Sequence, residues 1–162
     1  MVENIFTEIE EMLKAHRLKV ERFDKNRPWG GFFVIREEQA QEFADIFFNG
    51  LDVGDLRISG KLSPKILIVV PHKRLSWQYH FRRAEIWKVL RGSVGVVISE
   101  TDQEAEVATK KKGDYIKLQQ GERHRLVGLD DYGILAEIWQ HTDFNNPSDE
   151  DDIVRLQDDF GR

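Results

Sequence analysis

A succession of short apolar segments, each closed by a turn residue, constrains the fold of this chain more than any other feature. KILIVV at 65–70 is a run rich in β-branched residues, and LSWQYHF at 75–81 alternates apolar and polar residues. Further segments of this kind follow at 86–92, 93–99, 104–110, 114–119, 124–129 and 133–140, with Gly92, Gly113, Gly121 and Gly133 among them. Short strands separated by turns predict an all-β sandwich or barrel.

Two helices are predicted before these strands. Residues 3–16 place Ile5, Ile9 and Leu13 on one face, and residues 37–49 are followed by Gly50, a common helix stop. A chain of 162 residues suits one domain. We therefore predict that residues 1–55, a helical extension with the RPWG segment, pack on a barrel formed by residues 56–162.

The composition limits the chemistry that this chain can carry. Because it has no cysteine, it has neither disulfides nor thiolate metal ligands, so any metal is held by His, carboxylate or amide groups. The net charge of -5 argues against non-specific nucleic-acid binding. The acidic N-terminus lacks the basic region of a secretory signal, and no apolar stretch approaches the ~20 residues of a transmembrane span. We expect a cytoplasmic protein without membrane or nucleic-acid partners.

Four polar residues in the strand region are unsuited to a plain apolar core. Gln78 and His80 are two residues apart, so a strand points them to the same face, and the RRA segment at 82–84 can turn the chain before Glu85. His124 begins a later strand after the turn at Gly121. If these side chains meet inside the barrel, their N and O donors suit Zn²⁺, Fe²⁺ or Mn²⁺.

The spacing of these residues also carries a family resemblance. Gln78-Tyr-His80-x4-Glu85-x6-Gly92 and Gly113-x7-Gly121-x2-His124 resemble the two motifs of the cupin superfamily. RPWGGFFVI at 27–35, LSWQYHFRRAEIWKVLRG at 75–92, GERHRL at 121–126 and EDDIVRLQDDFGR at 150–162 are together similar to the cupin-type mannose-6-phosphate isomerase family. The resemblance covers most of the chain from Arg27 onward.

The resemblance implies a cupin fold, a double-stranded β-helix or jelly-roll barrel, in a stand-alone module of that family. It implies that Gln78, His80, Glu85 and His124 form a metal set, expected to hold zinc with Fe²⁺ or Mn²⁺ as alternatives. The implied reaction is the metal-dependent interconversion of mannose 6-phosphate and fructose 6-phosphate through an enediol. The implied partner is a small sugar phosphate, and we expect a homodimer.

Arginines are the next candidates. Arg82 and Arg83 are adjacent, so a strand cannot point both inward. Either both lie in a solvated turn, or one reaches over the pocket to bind the sugar phosphate or stabilise a charged intermediate. Arg83 is preferred as a catalytic residue because it shares the parity of Glu85, and Arg82 is the substrate-binding candidate. Arg155, in EDDIVR, either pairs with Asp151 or Asp152, or acts on the substrate as a further catalytic candidate, as the resemblance implies. A positioned Arg would bind a dianionic phosphate with two hydrogen bonds.

Four further residues complete the candidates. Glu137, on the segment 133–140, is the candidate general base, with a structural salt-bridged Glu as the alternative. Lys65 begins a strand and can face inward as a substrate-binding residue. Arg27 and Trp29 in RPWG either bind substrate or form a structural plug of the barrel.

Two other functions stay open. Phe81, Arg82 and Ile86 stand where the family commonly has histidines, which favours a cupin isomerase acting on a different sugar or sugar phosphate. A non-catalytic sugar-binding cupin is the second alternative. The four candidate metal ligands argue against it, because such a protein can bind sugar with Arg and Trp alone.

Overall fold

The computed structural model describes residues 2–56, 61–143 and 145–161. Two α-helices are present in these ranges, α1 Val2–Ala15 and α2 Ala40–Phe47, with 3-10 turns at Glu37–Gln39 and Val53–Asp55. The strands are β1 Val20–Arg27, β2 Gly30–Ile35, β3 Lys65–Val69, β4 Trp77–Tyr79, β5 Arg83–Arg91, β6 Ser93–Ser99, β7 Ala108–Lys111, β8 Tyr115–Leu118, β9 Arg123–Gly128, β10 Gly133–His141 and β11 Val154–Gln157. Neither helix has the length and apolarity that a membrane span needs.

The strands form two antiparallel sheets. One has six strands in the order β1-β2-β3-β10-β5-β8, and the other has five in the order β11-β4-β9-β6-β7. Trp87 and Val89 of the larger sheet share a buried apolar cluster with Val94, Val96 and Leu126 of the smaller one, so the two sheets enclose a common core. This confirms the predicted all-β cupin barrel with an N-terminal helical segment.

The helices cover the outer face of the six-stranded sheet. Ile5 and Ile9 of α1 and Phe43 of α2 are buried in one cluster with Ile66 and Ile138 of the sheet. Burying an aliphatic or aromatic side chain contributes about 1.5–3 kcal/mol, so this layer is a main source of stability. Both predicted helices are present, but the second starts as a 3-10 turn and its α-helical part is confined to Ala40–Phe47.

Several strand predictions differ from the structure. The sequence predicted no strand before residue 56, yet β1 and β2 pair with each other and β2 pairs with β3. β1, with the sequence VERFDKNR, is an edge strand without a buried residue, so it shows no apolar alternation that reveals it. The strand predicted at 104–110 begins only at Ala108, whereas the strand predicted at 133–140 is present as β10 and begins at Gly133 as expected. The proposed division at residue 55 stays a prediction.

The register of the strands concentrates polar residues at one end of the space between the sheets. Lys65 pairs with Glu137, and Glu137 pairs with Trp87, across three adjacent strands of the large sheet. In the small sheet Gln78 lies between Arg155 and His124. The neighbouring row of the large sheet is apolar, formed by Phe32, Leu67, Leu135 and Val89. The polar side chains of the two sheets can therefore form a binding site between them.

Candidate functional site

Three buried side chains converge between the two sheets. The Nε2 atom of His80 lies 3.5 Å from Oε1 of Glu85, and Nε2 of His124 lies 3.3 Å from the same oxygen. The three donor atoms all lie within 4.8 Å of one another. Each residue is at most 3% exposed. The sequence-based expectation that His80, Glu85 and His124 meet inside the barrel therefore agrees with the geometry.

The turn between β4 and β5 brings His80 and Glu85 together. The sequence placed that turn at 82–84, but the bend lies at Phe81 and Arg82, and Glu85 is the third residue of β5. The carboxylate of Asp152 accepts the backbone N–H groups of Phe81 at 2.8 Å and Arg82 at 2.9 Å. This clamp comes from a distant part of the chain, so local sequence gave no sign of it.

The hydrogen bonds that Nδ1 makes fix the tautomer of both histidines. Nδ1 of His80 donates to the carbonyl oxygen of Asp152 at 2.7 Å, and Nδ1 of His124 donates to that of Glu122 at 3.1 Å. The lone pair then resides on Nε2, which faces Glu85 in both cases. Burial also lowers the pKa of His80, although the Glu85 carboxylate opposes the shift. Neutral imidazole with a fixed tautomer is what a metal ligand requires.

The dimensions of this trio suit a divalent cation. Ligands about 2.0–2.2 Å from a tetrahedral metal are separated by roughly 3.4 Å, close to the two distances to Glu85. Burial pushes the pKa of Glu85 up, but the charges of His80 and Arg83 outweigh burial and hold it well below its usual range. A carboxylate between two imidazoles is a donor set that Zn²⁺, Fe²⁺ and Mn²⁺ accept.

Gln78 borders the trio in an orientation that a metal would have to change. Its amide nitrogen lies 3.4 Å from Nε2 of His124, while its amide oxygen accepts a hydrogen bond from Oγ of Ser76 at 2.5 Å. A half turn of the amide exchanges these two atoms and presents the oxygen, the atom that binds metals. Gln78 therefore lies where the sequence predicted a fourth ligand, and ligation would require this half turn.

The adjacent arginines occupy different places, as strand parity demands. Arg83 is buried, its Nε lies 3.2 Å from Oε2 of Glu85, and its guanidinium lies 3.9 Å from the ring centre of Trp139. Its second amino group lies 3.4 Å from Nε2 of His80. Arg82 instead donates to the carbonyl of Pro147 at 2.6 Å and does not line the cavity described next. Arg82 therefore lies outside this cavity, and its substrate-binding role stays a prediction.

A cavity of about 260 Å³ opens beside the trio. Side chains from both sheets line it, and most of the site residues expected from the sequence are among them. The lining residues are Arg22, Arg27, Trp29, Phe32, Lys65, Leu67, Leu75, Gln78, Arg83, Glu85, Trp87, Glu137, Glu150, Ile153 and Arg155.

Glu137 and Lys65 form a buried pair on the cavity wall. Oε1 of Glu137 accepts a hydrogen bond from the indole N–H of Trp87 at 2.9 Å, and Oε2 lies 3.5 Å from Nζ of Lys65. Burial and the nearby charge of Glu85 raise the pKa of Glu137 to about 7, against the opposing charges of Lys65 and Arg83. A carboxyl with this pKa exchanges protons near neutral pH.

The remaining predicted residues have distinct surroundings. Trp29 is 5% exposed and belongs to the inner apolar cluster, so it packs as well as lining the cavity. Arg27 pairs with Asp24 at 3.1 Å and lies over the ring of Phe32. Arg155 is the strand neighbour of Gln78, and among the described residues its side chain has no hydrogen-bond or ion-pair partner. The pairing with a neighbouring Asp, considered from sequence, does not occur there.

Two charged lining residues escaped the sequence analysis. Glu150 lies 3.3 Å from Nζ of Lys65 and 2.7 Å from an amino group of Arg22. Glu150 is the first residue of the EDDIVR segment. The sequence analysis took only Arg155 from this segment as a site candidate, although the segment also pointed to Glu150. Arg22 lies on the unpredicted edge strand β1 and had no signal of its own.

Comparisons with solved structures support the fold. The capsular polysaccharide assembling protein CapF from Staphylococcus aureus matches with a TM-score of 0.55 and 14% identity, over 86% of this chain and 34% of that one. Oxalate decarboxylase from Bacillus subtilis matches with a TM-score of 0.55 and 17% identity, over 82% of this chain and 29% of that one. At such low identity the likeness concerns the fold alone.

Sequence comparisons are more specific. The xanthan biosynthesis protein XanB of Xanthomonas campestris is 30% identical over 137 residues, which are 84% of this chain and 23% of that protein. The alginate biosynthesis protein AlgA of Pseudomonas aeruginosa is also 30% identical over 137 residues, 84% of this chain and 22% of that protein. The chain thus spans less than a quarter of these relatives. The family model described as mannose-6-phosphate isomerase C-terminal matches residues 52–158, and this chain belongs to that family.

Proposed function

We propose that this protein is a metal-dependent aldose–ketose isomerase that interconverts mannose 6-phosphate and fructose 6-phosphate. The observation that carries the proposal is the buried trio of His80, Glu85 and His124 beside a cavity that also contains a carboxyl with a pKa of about 7. The cavity, of about 260 Å³, is bordered by several cations, which favours an anionic ligand. Membership of the isomerase family supports the same reaction class.

The trio and Gln78 are the proposed ligands of the metal. Held by His80, Glu85 and His124, with Gln78 as a fourth donor, a divalent cation supplies Lewis-acid stabilisation for charge on the C1 and C2 oxygens of the open-chain sugar. The chain holds Glu85 for this role through Arg83, whose Nε bonds one carboxylate oxygen while the other faces the histidines. Arg83 is therefore proposed as a positioning residue.

Glu137 is the proposed general base. In its ionised form it would take the proton from C2 of the aldose and return it to C1, while the C2 hydroxyl proton moves to the C1 oxygen to complete the enediol exchange. The indole N–H of Trp87 and the ammonium group of Lys65 hold the carboxylate on the cavity wall. A base with a pKa near the working pH combines a useful ionised fraction with enough basicity.

Cationic side chains are the proposed binding groups for the rest of the substrate. Arg155 has no partner among the described residues and lies next to Gln78, so it can donate to a substrate oxygen near the metal ligands. Arg27 and Lys65 add positive charge to the same cavity, and Trp29 contributes an apolar wall. Charge-assisted hydrogen bonds to a phosphate are about twice as strong as neutral ones.

A substrate panel tests the function. Purified protein is assayed with mannose 6-phosphate, glucose 6-phosphate, free mannose and further aldose phosphates, before and after metal removal and after restoring Zn²⁺, Fe²⁺ or Mn²⁺. We expect chelator-sensitive conversion of mannose 6-phosphate that a divalent metal restores. Preferred turnover of another aldose would support the alternative isomerase. Binding of sugars with thermal stabilisation but without any turnover would establish a sugar-binding protein instead.

A further inference from the structure

Glu150 bridges two cations at the wall of the cavity. Its Oε1 atom lies 2.7 Å from an amino group of Arg22 on β1 and 3.3 Å from Nζ of Lys65 on β3. All three residues line the cavity. The side chain of Lys65 is 9% exposed, whereas that of Glu150 is 52% exposed. One accessible carboxylate therefore occupies a cation pair that would otherwise face the cavity.

Hydrogen bonds hold the backbone near Glu150, while its side chain is half exposed. Ser148 is buried, its N–H donates to Nδ1 of His141 at 3.1 Å, and its hydroxyl donates to Asp152 at 2.7 Å. Asp152 in turn holds the bend at Phe81 and Arg82. Because these anchors secure the segment, rotation about the side-chain bonds of Glu150 can release its carboxylate without unfolding any element.

Glu150 differs from the other carboxylates of the cavity. Glu85 and Glu137 also line it, but both are buried and bound to buried partners. Burial pushes the pKa of Glu150 up, but the charges of Lys65 and Arg22 prevail and lower it, so the group is ionised at neutral pH. A carboxylate and a phosphate oxygen use the same donors on Lys and Arg. The pair therefore offers a phosphate group the same donors that it offers Glu150.

We propose that Lys65 and Arg22 form the subsite for the phosphate monoester of the ligand, and that the Glu150 carboxylate occupies this subsite until the ligand displaces it. The proposal rests on the proposed function, because it takes the phosphate of that substrate as the anion. It makes Glu150 a competitor of the ligand rather than a contact to it. Removing the charge of Glu150 should then tighten binding, which is the opposite of what loss of an ordinary binding residue does.

Calorimetric titration tests the sign of this effect. Inorganic phosphate, mannose 6-phosphate and mannose are titrated into the wild type, Glu150→Gln and Asp151→Asn. Asp151 is the matched control because it is an exposed acidic neighbour of Glu150, and Asp151→Asn removes the same charge. We expect Glu150→Gln to bind both phosphates about fivefold more tightly, the size of one ion pair, with mannose unchanged. Asp151→Asn should alter phosphate binding by less than about twofold.

A second set of variants tests the place of the subsite. Arg22 is half exposed, so Arg22→Gln should fold, and it should weaken phosphate binding. In the double variant, Arg22→Gln should abolish most of the tighter phosphate binding that Glu150→Gln produces. The proposal fails if Glu150→Gln leaves phosphate binding unchanged or weakens it, or if Asp151→Asn tightens it equally. It also fails if Arg155→Gln, and not Arg22→Gln, abolishes the tightening.

The titrations also separate this proposal from the proposed function. They require no turnover, so tightened phosphate binding in a protein that isomerises no sugar would support the subsite and contradict the isomerase. Chelator-sensitive isomerisation with unchanged phosphate binding in Glu150→Gln would support the isomerase and contradict the subsite.

Discussion

The two faces of the six-stranded sheet are built from the same strands but have opposite chemistry. On β3 and β10, Ile66 and Ile138 point outward and are buried under the helices. Lys65 and Glu137 alternate with them on the same strands and line the cavity on the inner face. On β5, Ile86 belongs to the outer cluster, whereas Glu85 faces the histidines.

This difference separates the outer face, which stabilises the fold, from the inner face, which carries the candidate site. An apolar outer face gains free energy from every side chain that the helices cover. A buried charge costs free energy unless it is paired, so a plain structural core has no reason to contain Glu85, Glu137 and Lys65 together. Substitutions on alternate positions of one strand should therefore separate stability from function.

The largest expected effect comes from the inner face. Glu137→Gln keeps the size of the side chain and its hydrogen bond with Trp87 but removes the base, so kcat for mannose 6-phosphate should fall about 10²–10⁴-fold. Bound metal, measured by elemental analysis, should match the wild type. Retention of more than a tenth of wild-type kcat would assign Glu137 to structure.

The pH profile gives an independent check on Glu137. Burial and Glu85 raise its pKa to about 7, while Lys65 and Arg83 oppose the shift, and only the ionised carboxylate can accept a proton. The kcat of the wild type should therefore rise with pH up to about 7 and fall about tenfold per pH unit below it. This acid limb should be absent from the residual activity of Glu137→Gln.

The outer face should show the reverse behaviour. Ile66 is fully buried beside the helices, so Ile66→Ala should lower the free energy of unfolding by about 2–5 kcal/mol. The metal content of the folded protein and its KM should stay at wild-type values, because the adjacent Lys65 keeps its place on the inner face. Denaturant unfolding measures the loss. A reduced metal content in folded Ile66→Ala would contradict the separation of the two faces.

Sequence periodicity was sufficient to predict which side chains of β4 and β5 face the cavity. Alternation placed Gln78 and His80 on one face and chose Arg83 over Arg82, and the resemblance to the cupin motifs related Gln78 and His80 to Glu85 and His124. It could not reveal β1, whose residues are all at least partly exposed. It also could not reveal that Asp152 fixes the bend before Glu85, because that contact joins residues about 70 positions apart.

Arg155 lines the cavity and Arg82 lies outside it, so their substitutions should affect substrate binding differently. Arg155→Ala should raise KM for mannose 6-phosphate about tenfold, the value of one charged hydrogen bond, without changing metal content. Arg82→Ala is the matched control, because Arg82 bonds the segment around Pro147 and lies outside the cavity. It should lower the melting temperature and leave KM unchanged. An unaltered KM in Arg155→Ala would remove Arg155 from the substrate site.

The smallest effect is expected outside both faces. Arg74 donates two hydrogen bonds, of 2.7 and 2.9 Å, to the carboxylate of Asp159, which lies just after β11. These hydrogen bonds lower the pKa of Asp159 from 3.8 to about 2. A lowered pKa stabilises the fold above about pH 4, and that contribution is lost as pH falls towards 2. Asp159→Asn should cost less than about 1 kcal/mol at pH 6, since the pair is partly exposed, and a smaller amount at pH 2, where about half of the native carboxyl groups are protonated. Urea unfolding at both pH values measures the difference, and an equal cost at both would exclude an ionic origin.

Metal content is the most direct test of the inner face. Wild-type protein and Glu85→Gln are each saturated with Zn²⁺, Fe²⁺ or Mn²⁺, dialysed, and analysed for metal per chain. Glu85 is the carboxylate that joins the two histidines, so we expect about one divalent ion per wild-type chain and almost none in folded Glu85→Gln. Equal metal content in the two proteins, or none in the wild type, would contradict the assignment of His80, Glu85 and His124 as a metal site.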